Sequence, residues 1–149
     1  MAVGTYSGQV LSSKMGSKSL RKDAHDAPCA AMHLRKGDSG FISAGFDGMI
    51  LFWDSLFTRG TTVALHTELK QHLVSYKIQS IYEDKSSGDL IVGNYSGDIL
   101  EKSGANWRVV VKGASAPLTG IDKFYQKAEV ASICNEREIT LWDSGKKSL

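Results

Sequence analysis

The chain has 149 residues, 42% hydrophobic and 23% charged, with a formal net charge of +2. That is the balance of a globular domain able to bury a core, and a positive charge this small and this evenly spread, with short clusters only at Arg21-Lys22 and Lys146-Lys147, argues against a nucleic-acid face. The N-terminus "MAVGTYSGQV" lacks the order of a secretory signal and no apolar run is long enough for a membrane span, so a cytoplasmic chain without a membrane partner is expected.

In chain order, short runs rich in Val, Ile, Leu and aromatics stop at Gly, Asp, Ser or Asn, with no sustained 3.6-residue stripe, so strands are expected throughout. Residues 1–23 read as the end of one sheet, Met1–Tyr6 with Gly8–Ser13, plus a connecting loop. The best helical competitor, "SLRKDAHDAPCAAMHL", is interrupted by Pro28. Residues 24–67 form a second sheet from Cys29–Leu34, Gly40–Ala44, Met49–Trp53 and an outer strand near Thr62–Thr67. Residues 77–112 form a third from Lys77–Glu83, Leu90–Asn94, Asp98–Lys102 and an outer strand near Trp107–Lys112. Residues 114–143 supply a partial one, Leu118–Phe124, Val130–Ile133 and Glu138–Trp142, and 144–149 are a tail.

The chain repeats itself. "VGTYSGQVL" at Val3–Leu11 agrees with "VGNYSGDIL" at Val92–Leu100 in six of nine positions, and "SAGFDGMILFWD" at Ser43–Asp54 and "SICNEREITLWD" at Ser132–Asp143 fall in the same frame. Anchored at Gly8, Gly48, Gly97 and Arg137, the frames lie 40, 49 and 40 residues apart. A period near 40 built from short strands and closing on Trp-Asp is the pattern of propeller blades.

On these motifs the chain resembles the WD-repeat family from Val3 to Asp143. The resemblance implies an all-β propeller fragment of antiparallel four-stranded blades. It also implies, in a well-formed blade, a buried hydrogen-bonded set: a Trp on the third strand, a Ser or Thr on the second, a His before the first and an Asp in the turn between second and third. Residues 24–67 supply all four as Trp53, Ser43, His25 and Asp47. The residue types make chemical sense, because a buried indole N–H without an acceptor costs about 1–3 kcal/mol. Ser43 can accept from Trp53 and donate to His25, whose other ring nitrogen can donate to Asp47. To bring Ser43 opposite Trp53, the Asp47-Gly48 turn is expected to be a bulged three-residue loop with Gly48 at positive φ.

The other blades depart from the pattern. The last keeps Ser132 and Trp142 but has Glu136 at the Asp place and Ala114 or Ser115 at the His place, so its set should be broken or bridged by water. The third has Val92 and Lys102 at the Ser and Trp places, and a purely apolar core of Ile78, Ile81, Leu90, Val92, Ile99 and Leu100 is expected. The first hairpin has Ser12 or Ser13 near the Trp place.

A Trp-bearing blade, then "KIQSIYEDKSSGDLIVGNYSGDILEKS", then a Trp-bearing blade again is an order similar to the echinoderm microtubule-associated protein-like family over Ala24–Asp143. That resemblance implies a cytoplasmic, cytoskeleton-associated scaffold that binds tubulin or microtubules. The candidate contacts are basic loop residues Arg35, Lys36, Arg59 and Lys85, facing an acidic polymer. The alternative is a WD-repeat adaptor that recruits some other protein. The family's coiled-coil segment and most of its blades are not in this stretch. Propellers close with about four to eight blades, so an incomplete ring is expected, completed by other blades of a longer chain or by other copies.

His25, Ser43 and Asp47 are also the ingredients of a hydrolase triad. Ser43 lies mid-strand in "FISAGF" rather than on an exposed strained turn, and bracing is the expected role. "GDSG" at Gly37–Gly40 reads as a hairpin turn, and no glycine-rich phosphate loop is present. Cys29 and Cys134 are far apart with no Cys-x-x-Cys spacing. Cys29 and His33, four apart on a strand and hence on one face, are two ligands where a structural zinc takes about four. No catalytic, cofactor or metal site is expected.

Overall fold

The computed structural model describes residues 1–13, 20–69, 72–113, 116–123, 129–134 and 139–143, and over these the chain is all-β. The first sheet holds β1 (Ala2–Gly4), β2 (Gln9–Ser12) and β3 (Leu20–Asp23). The second holds β4 (Cys29–Leu34), β5 (Phe41–Gly45), β6 (Met49–Trp53) and β7 (Arg59–Ala64). The third holds β8 (Ile78–Glu83), β9 (Leu90–Asn94), β10 (Ile99–Ser103) and β11 (Asn106–Val111). The fourth holds β12 (Leu118–Lys123), β13 (Glu129–Cys134) and β14 (Ile139–Asp143). Each is an antiparallel meander whose strands neighbour one another in chain order, giving four blade-like sheets.

The frame found in the sequence is also a frame of registers. Val3 faces Leu11, Ser43 faces Leu51, Val92 faces Leu100 and Ser132 faces Thr140. In the second sheet the turn is the three-residue loop 46–48, closed by Gly48 N–H donating to the Gly45 carbonyl at 3.1 Å, with Gly48 at φ 75°. A side chain other than glycine is strained there, and such a loop carries the bulge that follows a type I turn. The register differs from expectation in one respect. Ser43 stands opposite Leu51, and Trp53 stands opposite Phe41. Serine and tryptophan are diagonal neighbours on one face, a separation that a long aromatic side chain spans.

A second irregularity recurs on the first strand of the second, third and fourth sheets. Pairing slips between Cys29 and Ala31, between Ile78 and Ser80, and between Leu118 and Gly120. The extra residues, Ala30, Gln79 and Thr119, line one cleft of about 260 Å³ between β4, β8 and β12, which stand side by side. The bulge also reverses the strand's faces. Cys29 packs toward the first sheet, where its Sγ lies against Gly4, whereas His33 meets Tyr82 of the third sheet at 5.1 Å. The expectation that Cys29 and His33 share a face is therefore corrected: simple alternation does not survive an inserted residue.

Alternation on the central strands distributes the core into layers between sheets. Along β5 and β6, Phe41, Leu51 and Trp53 join the layer against the first sheet, and Ile42, Ala44 and Ile50 join that against the third. Along β9 and β10, Leu90, Val92 and Leu100 face the second sheet, and Ile91 and Ile99 face the fourth. Strands β5 and β9 are buried on both faces, which is why "FISAG" and "LIVGN" read as continuous apolar runs. Close approach sets one residue choice: a Cβ on Gly93 would come within 2.5 Å of Ser80 Oγ and 2.9 Å of Leu118 Cβ in the next sheet.

Three other expectations are corrected. Residues Leu20–Asp23, placed in a connecting loop, pair with β2 as a third strand. The outer strand of the second sheet runs Arg59–Ala64 rather than Thr62–Thr67, because the chain then turns through one helical turn, α1 (Leu65–Glu68), that buries Leu65 completely. The core of the third sheet is not purely apolar, since Ser80, Glu83, Asn94, Asp98 and Glu101 are buried with it. Among the described residues the sheets form no closed ring, and no helix is long and apolar enough to cross a membrane.

Candidate functional site

The structure brings His25, Ser43, Asp47 and Trp53 together in the layer between the first and second sheets. The indole N–H of Trp53 donates to Ser43 Oγ at 2.9 Å, and Ser43 Oγ lies 2.9 Å from His25 Nε2. An indole is a donor only, so the single serine proton goes to Nε2, and Nδ1 is the protonated nitrogen that donates to Asp47 at 3.0 Å. Asp47 also accepts the backbone N–H groups of Met49 at 3.0 Å and Asp26 at 3.2 Å. Burial pushes the Asp47 carboxyl up, but these hydrogen bonds outweigh it and hold the group below its ordinary value.

Ser43 is 0% exposed and Trp53 1%, with Phe41 and Phe57 stacked on the indole at 5.7 and 5.1 Å. A nucleophile must be reached by its substrate. This hydroxyl is enclosed, and both its partners, His25 and Trp53, are buried with it. What the arrangement does is fasten three pieces of backbone: the segment entering β4, the strand β5, and the turn between β5 and β6.

Sequence reasoning left Asp54 without a task. Its Oδ1 accepts the N–H groups of Leu56 at 2.9 Å and Thr58 at 2.7 Å, winding the loop after β6 so that Phe57, at φ 62°, folds back onto Trp53. The tendency of Asp to bond main-chain N–H groups just ahead of it is the signal that was available.

The third sheet fastens its turn by a different route. Asn94 donates through Nδ2 to the Ser75 carbonyl and to Asp98 Oδ2, both at 2.8 Å, while its Oδ1 accepts from Asp98 N–H at 2.7 Å and Ser96 N–H at 3.0 Å. Asn94 thus ties the turn to the segment before β8, the job done by His25 and Asp47 one sheet earlier. In the fourth sheet Trp142 donates to Ser132 Oγ at 2.8 Å, again across the diagonal. Glu136, Ala114 and Ser115 lie outside the described residues.

The four basic candidates fall at one end of the sheets, where β4 leads to β5, β6 to β7 and β8 to β9. Arg35 is engaged within the molecule: its Nε donates to Glu83 Oε1 at 3.2 Å and its guanidinium lies 5.2 Å from the Phe52 ring centre. Lys36 and Lys85 are exposed, and Arg59 is exposed with Nη2 3.3 Å from Thr62 Oγ1. Lys123 pairs with Asp84 at 2.6 Å, so ion pairs join β4 to β8 and β8 to β12 at this end. The Lys123 bond and those from Ser86 hold the Asp84 carboxyl well below its usual range. At the opposite end Phe46 and Tyr95 meet edge to face at 5.9 Å, with Lys77 over both rings.

Among the described residues no three His, Cys, Asp or Glu side chains group as metal ligands do. Burial, then the Asp47 charge, push the Cys29 thiol up to about 11, so it is held as a neutral packing group. Compared with models of known protein families, the chain matches none.

Proposed function

We propose that the chain is a non-enzymatic protein-interaction scaffold of the WD-repeat propeller kind, and that its partner is tubulin or the microtubule. The observation that carries this reading is the enclosed His25–Ser43–Asp47–Trp53 set, spent on rigidity rather than on chemistry, in a series of sheets sharing one register. Rigid sheets hold loops at two ends, and such loops bind partners without catalysis. On this reading Lys36, Arg59 and Lys85, exposed at one end, meet an acidic polymer, and ring closure draws on further blades from a longer polypeptide or from other copies.

Sedimentation with taxol-stabilised microtubules tests it. Co-pelleting that weakens with added salt is the expected result, because contacts between exposed charges are screened. A well-folded sample that stays in the supernatant at low salt removes the cytoskeletal part.

A second reading, an adaptor for some other protein, draws on the acidic groups at the same end. Glu83 and Asp84 are already matched with Arg35 and Lys123, which leaves a mixed surface rather than a basic one. Failure to pellet, with specific capture of a different protein by the same face, decides for it.

A further inference from the structure

We propose that the cleft between the second and third sheets, at their basic end, receives an acidic side chain of a protein partner, with Lys102 and Arg35 as its carboxylate-binding groups. This rests on the interaction-scaffold reading and names the surface and the chemistry it would use.

Lys102 holds the frame position that Trp53 holds in the second sheet, and Val92 replaces the serine that would accept from an indole. Leu100 belongs to the apolar layer between the two sheets, and Lys102, two residues on, keeps to the same face of β10. Its stem is half-buried, and among the described residues it makes no hydrogen bond and no ion pair. The contrast is Lys123, also half-buried, which is bound to Asp84 at 2.6 Å. Unlike the Lys123 ammonium, that of Lys102 is unengaged among the described residues and can receive an incoming anion.

Arg35 supplies the geometry. Glu83 holds Nε, Phe52 lies beneath the guanidinium plane, and neither terminal amino group has a partner among the described residues. A guanidinium fixed this way keeps a donor fork for a carboxylate. Arg35 and Lys102 line one cleft of about 320 Å³, walled by Phe52, Thr61 and Val63. Asp54, also at its edge, already gives Oδ1 to two backbone N–H groups. A cleft of this size accepts a glutamate or aspartate side chain and its backbone. Tracking a nucleic acid takes a stripe of cations, and here Glu83 and Asp54 interrupt the run.

The test uses the full chain and a fluorescein-labelled Glu-rich octapeptide, read by anisotropy at low and physiological salt. Lys102→Gln is expected to weaken binding by about fivefold or more with the unfolding midpoint unchanged, and Lys112→Gln, exposed outside the cleft, to stay within about twofold. Arg35→Lys, which keeps the charge and loses the fork, should fall between wild type and Lys102→Gln. Because Arg35 changes disturb Glu83, the Lys102 variant decides. Equal losses in Lys102→Gln and Lys112→Gln, no peptide binding at low salt, or tighter binding of an oligo-dT probe that Lys102→Gln abolishes would each overturn the proposal. Peptide binding that depends on Lys102 without microtubule pelleting removes the tubulin reading and leaves the cleft. Pelleting without peptide binding does the reverse.

Discussion

Ser43 carries one proton and two bonds that matter, and the energetic asymmetry between them is testable. Ser43→Ala leaves the Trp53 N–H and His25 Nε2 buried without partners, so a loss of about 1–3 kcal/mol is expected in urea unfolding. Trp53→Phe removes the donor along with the indole and should cost through lost packing rather than an orphaned group. Ser132→Ala is expected to cost less than Ser43→Ala, because Trp142 is only half-buried. Acid acts on the same set. The Asp47 carboxyl is held below its unfolded value of 3.8, so its contribution is complete above that pH and is lost as pH falls through the folded value. His33 adds an earlier slope. Burial, assisted by Lys85 and opposed by Glu83 and Asp122, lowers it from 6.5, so stability falls as the solution is acidified from 6.5 toward the lower folded value. His33→Phe should flatten that part of the curve in a series of denaturant midpoints. The set at residues 25, 43, 47 and 53 is legible in sequence through the resemblance to WD-repeat blades, and its donors and acceptors then match one to one. The Asn94 set is not, because half of it is main chain.

Elements were legible where alternation or turn chemistry is strong. The bounds of β4, β6 and β9 can be read directly from apolar runs stopped by Gly and Asp, and the shared register follows from a repeated three-residue turn. Two features escaped. The first-strand bulges at Ala30, Gln79 and Thr119 have no composition of their own, and each turns a face-counting argument around. The start of β7 is fixed by the Asp54–Phe57 loop; the sequence reading carried that loop three residues too far, so that the expected strand ran three residues into α1. Contact between sheets depends on one missing side chain at Gly93. Gly93→Ala is expected to cost about 1–3 kcal/mol, because Leu118 and Ser80 cannot both retreat without separating the third and fourth sheets. Thermal unfolding of that variant, set beside Gly88→Ala in an open turn, isolates the packing effect from the backbone one. Gly88, at φ 78°, has nothing within 4 Å of an added Cβ.

At the scale of the molecule, the described sheets are a row with two ends. By register β1 corresponds to β5 and β9, so the first sheet has no described counterpart of β4, β8 and β12; the fourth has none of β7 and β11. Val3 on the first sheet and Ile139 and Leu141 on the last are exposed. Unpaired strand edges beside apolar side chains are templates for further strands. The chain purified alone is therefore expected to associate with rising concentration in light scattering. A monodisperse monomer with one sharp unfolding transition would contradict this.

The tie from Asn94 to the carbonyl of Ser75 has an evolutionary corollary. A bond received by main chain does not depend on which side chain the recipient bears, so this tie constrains position 94, and position 75 is constrained only through its own Oγ, which accepts the Lys77 N–H at 3.2 Å. His25 and Asp47 must instead change in concert or not at all. A saturation library scored for folding should show the first pair as two uncoupled columns and the second as two coupled ones.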